Sequence, residues 1–154
     1  MSNDSSSKPI LLVEDDENDV FFLKYAFEHA ELRNPLFIVR NGQEAIDYIS
    51  GIGRYADRNQ SPFPWLVLLD LKLPVKMGLE VLRWIQSKPE LATLLVVVLT
   101  SSADTRDIDE SYRYGARSFL VKPVSLEKRL ELAKAIKLYW VELNQSSDSG
   151  SSPR

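Results

Sequence analysis

Acids stand at two places where an apolar run stops short: Glu14-Asp15-Asp16 after ILLV, and Asp70 after WLVLL. In the same way Thr100-Ser101 follows LLVVVL, and Lys122 follows SFLV. Brought together, these side chains could do one kind of chemistry. Crowded carboxylates repel strongly at low dielectric and need a cation. Oxygen-only donors favour Mg²⁺ or Ca²⁺, and Mg²⁺ keeps waters and room for a phosphate. A carboxylate can also attack phosphorus to give an aspartyl phosphate. The charge on the transferred group is then met by the metal, an ammonium and a hydroxyl. Asp70, Lys122 and Thr100 would fill those roles. Singly, each has a duller explanation. Asp15 or Asp16 would cap a helix, Asp70 would serve a turn before Pro74, Thr100 would cap the next helix, and Lys122 would be solvated. Their joint occurrence at the ends of successive apolar runs favours the shared site.

The elements that must position them follow from pattern. Short apolar runs at Ile10–Val13, Leu36–Arg40, Trp65–Asp70, Leu94–Thr100 and Ser118–Val121 read as strands. Amphipathic segments at Val20–Ala30, Asn41–Ile49, Leu79–Ser87, Thr105–Tyr114 and from Ser125 to Asn144 read as helices. Asn41 and Glu44 have capping-box spacing, and Gly115 suits a helix C′ position. Residues 50–64 read as a loop. Strands alternating with helices predict an α/β fold on a parallel sheet. In such sheets ligands bind beyond the carboxyl ends of the strands, where the polar residues fall.

Composition sets bounds. The 154 residues suit a single domain, 44% of them apolar, with a formal charge of −3 and no cysteine. That balance argues against a general nucleic-acid binder; disulfides and thiolate metal sites are excluded. No stretch reaches the length of a membrane span and no signal core precedes Pro9, so a cytoplasmic location is expected. Residues 1–8 and 145–154 read as disordered tails around a folded domain at 9–144. His29, the single histidine, has no partner for a metal site and reads as a surface side chain.

The blocks LLVEDDE, LLDLKLP with Gly78 following, LTSS and FLVKP together resemble the receiver domain of two-component response regulators. The likeness spans about residues 9–143 and implies a five-stranded parallel sheet in the order 2-1-3-4-5. It implies Asp70 as the phosphoacceptor. Asp15 and Asp16 would be the acidic pair of a Mg²⁺ site, Asp16 the direct ligand, with the Lys72 backbone carbonyl a further contact; Mn²⁺ or Ca²⁺ could substitute. Thr100 would be the switch hydroxyl, Lys122 the phosphoryl-binding lysine, Ser101 the small residue beside the switch, and Phe119 the switch aromatic, for which plain strand core is an equal alternative. A cis peptide before Pro123 is also implied. The loop at 50–64 is longer than the family's minimum, and only a serine-rich tail follows the last helix. These features resemble the small single-domain regulators of cyanobacterial and bacterial phytochromes, implying a histidine kinase partner, itself a phytochrome.

Other functions fit less well. An intermediate phosphorelay receiver for a non-photoreceptor kinase is the nearest alternative, and a receiver that docks without phosphorylation is a further one. A haloacid-dehalogenase-type phosphatase needs a second acid two residues after its nucleophile, where this chain has Lys72. A dinucleotide-binding module would need G-x-G-x-x-G, which is absent. The helix from Ser125 carries apolar residues Leu126, Leu130, Leu132, Ala133, Ile136, Tyr139, Trp140, Val141 and Leu143, an arc wider than one core-facing stripe needs. The excess predicts a homodimer through residues 125–144 and the fourth strand–helix region.

Overall fold

Each apolar run becomes a strand because a parallel sheet covered on both faces wants branched, apolar side chains throughout. In the computed structural model, which describes residues 8–138, these are β1 (Ile10–Val13), β2 (Leu36–Val39), β3 (Leu66–Leu69), β4 (Leu95–Thr100) and β5 (Ser118–Val121). They form one parallel sheet in the order β2-β1-β3-β4-β5, as the resemblance implies. Five α-helices alternate with them: α1 (Glu17–His29), α2 (Gly42–Ser50), α3 (Gly78–Gln86), α4 (Thr105–Arg113) and α5 (Leu126–Ala135).

The two-residue strand period divides the interior into two cores. Leu11, Val13, Val67 and Leu69 point to the side of α2 and α3. Ile10, Leu12, Leu66 and Leu68 point to α1 and α5, whose Phe27, Ala133 and Ile136 are buried there. Two sealed faces leave the strand ends as the place where polar side chains can gather.

Several boundaries differ from the sequence pattern. Helix α1 starts three residues earlier than Val20, because Asp16 caps it, accepting from the Asn18 and Asp19 N–H groups. At α2, Asn41 accepts from the Glu44 N–H at 2.8 Å, while the Glu44 carboxylate reaches back to the Arg40 N–H at 2.8 Å. Gly51 closes this helix at φ +71°, and Gly115 follows α4 at φ +95°, conformations that cost glycine little. Residues 50–64 are not a bare loop. A 3₁₀ turn at Gly53–Tyr55 buries Tyr55. The Arg58 guanidinium donates to the Tyr48, Ile49 and Ser61 carbonyls, satisfying acceptors that α2 leaves open at its C-terminus. Among the described residues no peptide bond is cis, so the bond before Pro123 is trans, contrary to expectation.

On α5, Ala133 and Ile136 pack inward while Leu126 and Leu138 are exposed. Tyr139, Trp140, Val141 and Leu143, with the rest of the expected helix to residue 144 and both expected tails apart from Lys8, lie outside the described residues. No helix among the described residues is long and apolar enough to cross a membrane.

Candidate functional site

Sheet register builds the site. Val13 pairs with Leu69 across β1 and β3, so the next residue of each strand, Glu14 and Asp70, comes level at the carboxyl edge. Both are nearly sealed, at 3% and 6% exposure. Asp15 joins them from the exposed side, and carboxylate oxygens of Glu14, Asp15 and Asp70 all lie within 4.8 Å of one another. Asp16 does not enter this group. It sits one residue further on, where its carboxylate is engaged as the α1 cap. Glu14 is the third member of the group, with Oε2 accepting from the Asp16 N–H at 3.1 Å.

Lys122 enters from the adjoining strand end. Thr100 pairs with Val121 across β4 and β5, and the Lys122 N–H donates to the Thr100 carbonyl at 2.8 Å. The ammonium then reaches across the sheet, donating to Asp70 Oδ2 at 2.9 Å and Asp19 Oδ2 at 2.8 Å and pairing with Glu14. Burial pushes the Glu14 carboxyl up to about 7, and the nearby Asp70 charge adds to this against the pull of Lys122. Burial alone would lower the lysine, but hydrogen bonds to Asp19, Asp70 and Glu14 outweigh it and hold the ammonium above the usual lysine range.

The remaining predicted residues surround this centre unevenly. Asp70 Oδ1 accepts from the Lys72 N–H at 3.2 Å, and the Lys72 side chain is exposed. Thr100 is fully buried at the tip of β4, accepting from the Ser102 N–H at 3.4 Å. Ser101 is exposed. Ser102 donates to Asp107 Oδ2 at 2.7 Å and so ties the strand end to α4. Phe119 is half-buried against the α2–α3 core, and its N–H donates to the Tyr112 hydroxyl at 3.1 Å. His29 is exposed and stacked on Tyr25, away from the cluster. A surface groove along α1, from Phe21 to Arg33, also lies elsewhere.

The segment after Asp70 is tightly made. Pro74 and Lys76 close a three-residue turn at 2.8 Å with Val75 at φ +68°, a strained setting for a β-branched residue. Gly78 then lies directly under the site, its N–H donating to the Leu71 carbonyl at 2.9 Å.

Pattern reading placed Glu14 at the end of the first run but gave it no role, and it did not bring Asp19 or Arg129 to the site. For Glu14 a signal existed: aligning the last apolar residue of each run puts the first acid after β1 opposite the acid after β3. Asp19 and Lys122 are 103 residues apart, a pairing that no local pattern reveals.

The donor set fits a hard divalent cation: carboxylate oxygens only, two of the carboxylates largely dry, with neither thiolate nor imidazole nearby. Acid, ammonium and buried hydroxyl lie at adjacent strand ends. Comparisons with known proteins agree with this arrangement. The model of the response regulator receiver domain matches residues 10–136. The chain is 36% identical over 143 residues to "Response regulator Rcp1" of Synechocystis sp., covering 92% of this chain and 95% of that protein. It resembles the crystal structure of the phosphorylated cyanobacterial phytochrome response regulator RcpA, with a TM-score of 0.84 at 34% identity over 91% of this chain and 98% of that one. It also resembles the Mn²⁺-bound form of Rcp1, with a TM-score of 0.81 at 34% identity, over 90% and 98% of the two chains. The chain belongs to the response regulator receiver domain family, whose members bind Mg²⁺.

Proposed function

We propose that this chain is a single-domain response regulator, folded over about residues 9–144, that accepts a phosphoryl group on Asp70 from a partner histidine kinase. The observation that carries this reading is the setting of Asp70: nearly buried, one oxygen on the Lys122 ammonium at 2.9 Å, two further carboxylates beside it. Asp70 attacks phosphorus, and the P–N bond of a phosphohistidine breaks with its electron pair going to the imidazole. Lys122 exchanges its bond to Asp70 for one to a phosphoryl oxygen. The Thr100 hydroxyl turns toward another, and Phe119 and Ser101 adjust beside it. Glu14, Asp15, Asp70 and the Lys72 carbonyl would hold Mg²⁺, which Mn²⁺ or Ca²⁺ could replace; we place the acidic pair at Glu14–Asp15 rather than Asp15–Asp16. When bound, the cation supplies charge that offsets the acids and the incoming phosphoryl group.

The chain acts as a signalling switch, not a multiple-turnover enzyme, because Lys72 stands where a phosphatase of the aspartyl-phosphate type would need its acid. A phytochrome as the kinase is supported by the likeness to Rcp1 and RcpA. An apolar patch beside the site suits a protein partner rather than nucleic acid. Phe21 is 62% and Val124 93% exposed, and Arg129 joins the two sides, its guanidinium over Phe22 and its Nε donating to the Pro123 carbonyl. The cytoplasm, where such kinases deliver phosphate, is the proposed location.

Incubation with radiolabelled acetyl phosphate and Mg²⁺ should leave an alkali-labile label on the protein, and EDTA should prevent it. Failure to label under any divalent cation would overturn the reading.

We further propose a homodimer through residues 125–144, which include α5, and the fourth strand–helix region, β4 and α4. The exposed Leu126, Leu138, Val121 and Tyr112 support it. Sedimentation should show a mass that rises with concentration; a monomer at all concentrations, with and without acetyl phosphate, would rule the dimer out.

A further inference from the structure

A lysine ammonium has three donors, and in this structure Lys122 meets three carboxylates. Glu14 and Asp70 belong to the acidic trio. Asp19 does not: it projects from the first turn of α1 and is absent from the set whose oxygens converge within 4.8 Å. Its orientation is fixed from both sides. Oδ2 accepts from Lys122 at 2.8 Å, while Oδ1 lies 3.6 Å from Arg129 Nη2. Arg129 is itself anchored, donating through Nε to the Pro123 carbonyl at 2.9 Å. Asp19, Lys122 and Arg129 line a small cleft with Glu14 and Leu99 behind the trio.

A divalent cation entering the trio must share Glu14 and Asp70 with this ammonium. Two cations on the same oxygens in a partly buried pocket disfavour each other. Asp19 is the carboxylate partner of Lys122 that such a cation would not use. We infer that Asp19 is a positioning residue that draws the Lys122 ammonium back from the shared oxygens, so that the trio can take a divalent cation while the lysine stays within reach of Asp70. The inference rests on the reading of Glu14, Asp15 and Asp70 as a cation site. It makes the cleft behind the trio a second resting place for the lysine, held open by α5 through Arg129.

A plain field effect of the Asp19 charge is the rival explanation, and a mutant cycle separates the two. Calorimetric titration of the full chain with MgCl₂ alone is the probe, on wild type, Asp19→Asn, Lys122→Met and the double variant. With Lys122 present, losing the Asp19 carboxylate should weaken Mg²⁺ binding about five- to tenfold. In the Lys122→Met background the same change should weaken it by less than about twofold, because no ammonium remains to be drawn aside. Asp19→Ser should reproduce both results, guarding against a defect peculiar to asparagine. Equal weakening in both backgrounds, or none in either, would overturn the inference while leaving the cation site intact. No Mg²⁺ binding by wild type would overturn both.

Discussion

Asp70→Asn should cut phosphoryl labelling by about 10³-fold or more, below detection in a mass-spectrometric assay with acetyl phosphate. Asparagine matches the shape of aspartate, so the change isolates charge and nucleophilicity. An amide oxygen carries no full negative charge and forms no stable link to phosphorus under these conditions. The rest of the site should survive, because Lys122 keeps Glu14 and Asp19 as partners and the Lys72 N–H can still donate to the side-chain oxygen. Removing one of the crowded acids also relieves the repulsion that adds to burial in raising the Glu14 carboxyl. A folded variant that still labels in a Mg²⁺-dependent way would move the acceptor to another residue, and peptide mapping would find it.

Gly78→Ala should be nearly as damaging, for a steric reason. A Cβ at this position would lie 2.3 Å from the Asp70 carbonyl oxygen and 2.6 Å from the Leu71 Cα. Both obstacles are backbone, so no side-chain rotation gives relief. Either α3 backs away, losing the bond from the Gly78 N–H to the Leu71 carbonyl, or the strand end carrying Asp70 shifts. Overpacking of this kind costs about 1–3 kcal/mol, and a lost buried hydrogen bond adds about 1 kcal/mol more. The urea midpoint should fall accordingly, and the surviving folded protein should label more slowly as Asp70 is displaced from Lys122. An alanine variant with the wild-type midpoint and rate would show that the loop yields easily.

Much of the architecture was legible because strand signals and site signals coincide. A parallel sheet sealed on both faces makes each strand a continuous apolar run, so a polar residue at its end stands out. Asp70, Thr100 and Lys122 were visible in this way, and sheet order then brings their strands side by side. The assignment between Glu14 and Asp16 was harder. Three successive acids differ only in where the strand stops and the helix starts, and that is set by the pairing of Val13 with Leu69 and by the Asp16 cap. The resemblance favoured Asp15 and Asp16; the backbone groups Glu14 and Asp15 with Asp70. The segment at 50–64 looked featureless for another reason: its order comes from Arg58 reaching the Tyr48 and Ile49 carbonyls, contacts written in no hydrophobic period.

β5 is the last strand of the sheet and has a neighbour on one side alone. The Tyr112 hydroxyl accepts the outward-facing Phe119 amide, so a side chain from α4 does there what an extra strand would do. The fit of α4 against β5 therefore governs whether the sheet can be lengthened by a foreign β-segment. Any rearrangement that withdraws the phenol would bare that amide, and strand addition would become open to another polypeptide at the rim that also carries Phe119.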